Sequence, residues 1–590
     1  MKKWFGRLFR FFEKLSVIII SIVVLSFFAI QFIQPRTASI TDKSVLYIKL
    51  DRPIFEHMDD NFLYSLMYDH RHLTFGEIIE ALKQGESDAR IKGLVLEIQA
   101  NVLGIAQVQE LRQALQKFRE ANKFVLAYSD TFGELSSGTL TYYLAAVADE
   151  IWVQPQGFVN ITGFAIEMPF LRKLLDEWQI NPQIGHREQY KNAMDFLTES
   201  ALSPANEEAW KTVLDSLMNQ FVRDVAIDRD LQEEQIRTLV NDAPFVKTQD
   251  ALDSELIDHI GYYDEVIHKA KELAESSHSL IPLKDYWHSL PQKKPSDDII
   301  ALIYGVGAIS RSKLEYNPLT QSQNMVGSEI AKAFEKAFEH PNVKAIVFRV
   351  DSPGGSANAS ETILRQVRRA KEKNIPVIIS MGNAAASGGY WISAYANKIV
   401  AEPGTITGSI GVFGGKVATE KFWNKLNINW GSIVAGKNAD MWSSVRPFNE
   451  IQWTKLQDWL DYTYNSFINI VAEGRNLSVD HVKEIAKGRI WTGEEAKKFG
   501  LVDELGGLDK AIVLAKLEAK IPLTEKIETI HFPKAKSNFE KLIQFLHGDE
   551  GSIEIMMQPL RLLAQDLKSA FGLRPAEEAL SITNTYKRIK

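Results

Sequence analysis

Cysteine is absent from the 590-residue chain. That excludes disulfides, thiolate chemistry and cysteine-ligated zinc, and it leaves the compartment open. Histidine is scarce: twelve residues, scattered, with no HExxH pair. The zinc-protease signature is missing, and neither a metal nor a cofactor is expected. Positive charge is not in excess either. The net charge is -7, so the chain has no overall basic footprint for nucleic acid. What remains is ordinary for a globular protein, with 45% hydrophobic and 24% charged residues. At ~150 residues per domain the length points to three or four units.

The N-terminus departs from this average. Residues 1–14 carry Lys2, Lys3, Arg7, Arg10 and Lys14 against Glu13 alone. Leu15–Ile33 then runs without a charge, and about 20 apolar residues suffice to cross a bilayer as a helix. Basic residues before the span favour a cytoplasmic N-terminus. The expectation is a single-pass anchor at 15–33 with everything after Ile33 outside the cytoplasm. A cleaved signal peptide is the alternative, although its apolar core is usually only ~7–15 residues long.

Internal repeats govern the rest of the chain. "IKGLVLEIQ" from Ile91 matches "VKAIVFRVD" from Val343. "TYYLAAVADEIWVQP" from Thr141 matches "GYWISAYANKIVAEP" from Gly389. "ALDSELIDHIGYYDEVI" from Ala251 matches "AKKFGLVDELGGLDKAI" from Ala496. Matches in this order imply a tandem duplication. Each copy alternates short β-rich runs with helical patterns, which reads as crossovers on a largely parallel α/β sheet. The predicted units are a first copy at 44–275, a polar linker with three prolines at 276–298, a second copy at 299–521 and a helical segment at 522–590.

The copies differ where chemistry would sit. The second has "VDSPGGSA" and "AAASGGYW", ending its strands in glycines and one serine, Ser387. Opposite Ser387 the first copy has Thr139, and both glycines are gone. The first copy has "GHREQYKNAMDF", with Lys191, and its counterpart near Met441–Ser444 has no lysine. A serine hydroxyl needs a base and backbone N–H donors to act as a nucleophile. Gly388, directly after Ser387, can supply one such N–H. No histidine lies in "VDSPGGSA" or "AAASGGYW", though His186 stands near Lys191. A lysine serves only if burial or a like charge lowers its pKa from ~10.4. Each copy keeps one half of a Ser/Lys pair, so one complete site can be built from two copies.

The ordered set "QYKNAMDFLTESALSP", "DSPGGSA", "AASGGYWIS", "ITGSIGVF" and "IWTGEEAKKFGLVDELG" resembles the long, duplicated bacterial signal peptide peptidases. They are also called protease IV, and they belong to the Clp protease/crotonase superfamily. The resemblance implies tandem Clp/crotonase-like domains built on ββα-type repeats. It also implies Ser387 as nucleophile, Lys191 as general base, Ser409 positioning the lysine amine, and the N–H groups of Gly354 and Gly388 as the oxyanion hole. It implies a serine endopeptidase of the inner membrane, with periplasmic catalytic domains acting on cleaved signal peptides and other apolar peptides. A homo-oligomer, a tetramer in the family, is expected, with Lys191 of one chain serving Ser387 of the next. A non-catalytic ring scaffold and a crotonase-type acyl-CoA enzyme are the alternatives. "GSIVAGKN" from Gly431 is almost a phosphate loop, but Asn438 replaces the metal-binding hydroxyl.

Overall fold

Ile91–Ile98 and Val343–Ser352 are buried along nearly their whole lengths, as strands of a parallel sheet covered on both faces must be. Successive residues serve opposite faces. Leu94, Leu96 and Ile98 join one core, and Val95 joins another with Leu126 and Val266. In the second copy Ile346 and Phe348 go one way, and Ala345 and Val347 the other. The computed structural model describes residues 40–57, 73–242, 246–291, 298–312, 324–525 and 527–532.

The two sheets have one topology. The first runs His259–Ile260, Glu150–Val153, Phe124–Ser129, Ile91–Ile98, Ser44–Leu50, Ile281–Pro282, all parallel. The second follows the same path, Glu504–Leu505, Lys398–Ala401, Val377–Ala386, Val343–Ser352, Ile299–Val306, Glu528–Phe532, again parallel, and adds Ile406–Gly408 beside the end of Val377–Ala386 with Ile490–Thr492 antiparallel to it. Each copy also carries a 26-residue helix, Pro204–Arg229 and Glu450–Arg475. Both helices end on a left-handed residue, Asp230 at φ 52° and Asn476 at φ 53°. The duplication is thus present in strand order and in helix termination.

Two boundaries move. The stretch read as a linker at 276–298 contains the edge strand Ile281–Pro282 and the helix Leu283–Ser289, whose Tyr286 is fully buried in the first core. Pro282 is tolerated because an edge position leaves its missing N–H without consequence. The segment from 522, read as helical, begins with Glu528–Phe532 as the matching edge strand of the second sheet. No described helix is long and apolar enough to cross a membrane. The expected span Leu15–Ile33 and most of the C-terminal segment lie outside the described residues.

The copies are joined by direct pairing. Asn181–His186 of the first runs antiparallel to Phe413–Ala418 of the second, from Phe413↔His186 to Ala418↔Asn181. Arg349 of the second copy, itself buried, binds Glu56 and Glu110 of the first. A buried charge of this kind is tolerated only when paired.

Candidate active site

Val377–Ala386 changes neighbours along its length. Ile378–Ser380 pair with Lys398–Val400, whereas Ala384–Ala386 pair with Ile406–Gly408. Its end therefore changes partners and brings Ser387 beside Ile406–Gly408. There Ser387 takes φ 54°, ψ -118° as the residue before the helix Gly388–Ser393. Its N–H donates to Gly408 O at 2.9 Å. A non-glycine residue in this region is strained, and strain held by its surroundings gathers at functional sites. The turn is so tight that a Cβ on Gly354 would lie 2.7 Å from both Gly388 N and Ser387 Cβ.

Lys191 crosses from the first copy to meet it. Its Nζ lies 3.0 Å from Ser387 Oγ, 2.8 Å from Ser409 O and 2.9 Å from Ser409 Oγ. The residue is 3% exposed. Burial alone pushes its ammonium pKa down to about 7, because a charge without a partner is costly in a low-dielectric site. A neutral amine has two N–H bonds and one lone pair. A carbonyl oxygen can only accept, so one hydrogen goes to Ser409 O; with the second on Ser409 Oγ, the lone pair faces Ser387 Oγ. Ser409 holds this arrangement at φ 50°. All these atoms belong to one chain. The expectation that Lys191 serves the Ser387 of a neighbouring chain is corrected: the two copies already bring the halves together.

The oxyanion expectation also changes. Gly354 donates its N–H to Ser352 Oγ at 3.2 Å, so that group is engaged. Ile309 N–H donates to Gly354 O at 2.8 Å, and Ser356 N–H donates to Ile309 O at 2.9 Å. In such a parallel bridge the residue between, Gly355, turns its own N–H away from Ile309. That N–H lies 3.1 Å from where a Cβ of Gly388 would stand. The geometry therefore pairs Gly388 with Gly355. His186, the other candidate base, is exposed, and its Nδ1 lies 3.0 Å from Glu188 O. Thr139, opposite Ser387, spends its hydroxyl on the backbone of Gly163 at 3.0 and 3.1 Å.

A strap from the second copy pins the lysine, and it is not legible in the motifs. Tyr190 N–H donates to Lys487 O, Gly488 N–H to Ile410 O and Ser409 N–H to Arg489 O. Arg489 binds Glu208 at 2.6 Å and Thr212 at 2.9 Å in the first copy. Gly488 has φ 79°, and a Cβ there would lie 2.5 Å from Lys191 N. Gly488→Ala is expected to lower peptide hydrolysis about a hundredfold, since an ångström of misplacement costs that much. A near-normal rate in a folded variant would refute this role.

With a serine on a strained turn, a buried amine facing it and backbone donors beside it, fold and site define a serine-type peptidase. The chain belongs to peptidase family S49, which matches residues 117–277 and 369–522, and it is of the duplicated protease IV type. It is 32% identical over 484 residues to Protease 4 of Salmonella typhi, covering 80% of this chain and 75% of that one. It is 30% identical over 511 residues to the chloroplastic serine protease SPPA of Arabidopsis thaliana, covering 85% and 74%. Protease 4 of Haemophilus influenzae is 30% identical over 502 residues, covering 81% and 79%.

Proposed function

We propose that the enzyme is a membrane-anchored endopeptidase with a Ser387/Lys191 dyad that degrades cleaved signal peptides and similar apolar peptides. The anchor is Leu15–Ile33, the catalytic copies face the periplasm, and the working form is a homo-oligomer, a tetramer by its resemblance. The observation that carries the reading is the 3.0 Å approach of Lys191 Nζ to Ser387 Oγ. Neutral Lys191 takes the hydroxyl proton as Oγ bonds to the peptide carbonyl carbon. The N–H groups of Gly388 and Gly355 receive the oxyanion. The lysine ammonium returns the proton to the leaving amine as the C–N bond breaks. Water, deprotonated by the same amine, then splits the acyl-enzyme ester and restores Ser387. A scaffold has no use for a buried amine whose hydrogen-bond partners among the described residues are the nucleophile and Ser409.

The test is the pH dependence of peptide hydrolysis. The base works unprotonated, so activity is expected to rise through about pH 7, where burial places Lys191. An unperturbed lysine would put this limb near ~10.4. Imidazole also titrates near ~6.5, so His186→Ala is measured alongside. The limb staying in place in that variant supports the lysine; its disappearance overturns the reading.

A further inference from the structure

The duplication predicts more than one active site's worth of contacts. The strand Asn181–His186 follows the helix Arg172–Glu177, and in the second copy the equivalent helix is Glu420–Lys425. The turns after them match. Gln179 has φ 56° and Asn427 has φ 58°. Ile180 N–H donates to Leu175 O at 2.7 Å, and Ile428 N–H donates to Trp423 O at 2.9 Å. Continuing at the same spacing, the counterpart of Asn181–His186 is Asn429–Val434. The counterpart of its partner Phe413–Ala418 is Ala165–Phe170 in the first copy. Within the chain one such segment from each copy forms a ladder. The other two have no strand assignment and lie largely open.

Their exposure is costly. Ile433 is 104% exposed and Trp430 53%. Apolar tips grouped like this mark an interaction surface. Further along, Ser216 of Pro204–Arg229 touches Thr492 of the second copy. Its counterpart at the same place in Glu450–Arg475 is Tyr462, which is 74% exposed. The segments equivalent to the internal ladder therefore recur on the outside of the chain without strand pairing, beside an exposed counterpart of Ser216. Asparagines interleave the apolar residues here, at 424, 427, 429 and 438. In lipid their amides would lose hydrogen bonds, whereas a protein edge supplies them.

We infer that a second copy of this chain covers this surface: Asn429–Val434 of one chain pairs antiparallel with Ala165–Phe170 of the next. This rests on the proposed homo-oligomer and supplies its contact. The register carried over from the internal ladder sets Glu167 opposite Ser432 and Ile166 opposite Ile433. It sets Pro169 opposite Trp430, equivalent to the internal pair Val417↔Pro182, which already lacks one N–H. The contact joins unlike surfaces, so repeating it closes a ring or extends a filament. The junction between chains is then an inert version of the junction within a chain. Thr139 stands where Ser387 would be, and at the same spacing Ala439 stands where Lys191 would be.

The absence of cysteine makes the test clean. Glu167→Cys and Ser432→Cys are introduced together into the full-length chain in detergent, and the thiols are oxidised. Opposed strand residues fall within the Cα separation of ~4.4–6.8 Å that a disulfide needs. The expected result is a ladder of covalent multimers. Glu167→Cys paired with Asn429→Cys, out of register, is expected to give none. Ile433→Asp is expected to reduce the native size to a single chain while each chain keeps its hydrolytic rate. An oligomer that gives no ladder overturns the pairing and leaves the oligomer standing; a wild-type chain that runs as a monomer overturns both. Neither readout depends on the dyad.

Discussion

Ser387→Ala and Lys191→Ala will each lower peptide hydrolysis by at least about a thousandfold, and the double variant will be no worse than either. Nucleophile and base act in one proton transfer, so losing either removes the whole step. The same geometry fixes a second outcome. Nζ and Oγ are 3.0 Å apart within one chain, so mixing Ser387→Ala chains with Lys191→Ala chains will restore nothing. Every chain in the mixture lacks half of its own site. Each rate is measured on a short peptide, with circular dichroism to establish that the variants are folded. Rescue in mixed oligomers would mean that the dyad is exchanged between chains. A near-normal rate for Lys191→Ala would mean that another group is the base.

How much of this was legible in the sequence depends on range. The duplication was legible because paired strands and helices repeat at nearly constant spacing. "ASGGY" was legible because only small residues fit a turn in which a Cβ on Gly354 would strike Gly388 N. Lys191 became a candidate only through the complementary losses in the two copies. The strap was not legible. Arg489 and Glu208 are 281 positions apart, and no local pattern announces a contact of that span. The choice between Gly354 and Gly355 depends on which N–H the bridge to Ile309 turns inward, a matter of backbone direction that composition does not encode. The edge strand Ile281–Pro282 was hidden for a different reason: two residues beside serines and a proline look like loop until a sheet edge is there to receive them.

Burial of Lys191 is also a statement about stability, and the expected effect is large. Its pKa falls from 10.5 unfolded to about 7 folded, and at ~1.4 kcal/mol per unit this is on the order of 4–5 kcal/mol. The unfolded chain binds the extra proton between those two values. Stability therefore falls as pH drops from about 10.5 to about 7, and the full cost persists below that. Lys191→Met fills similar space without the charge. It leaves Ser409 O and Oγ without their donor, at about 1–3 kcal/mol whatever the pH. At pH 6 the cost removed exceeds the bonds lost, so the variant is expected to unfold at a higher temperature than the wild type. The gap should close as the pH rises, and near pH 10 the wild type should be the more stable. Thermal unfolding of both proteins across this range measures the crossing. Melting curves that stay parallel from pH 6 to pH 10 would show that Lys191 keeps an ordinary pKa in the folded enzyme, and a base of that kind would be protonated at neutral pH.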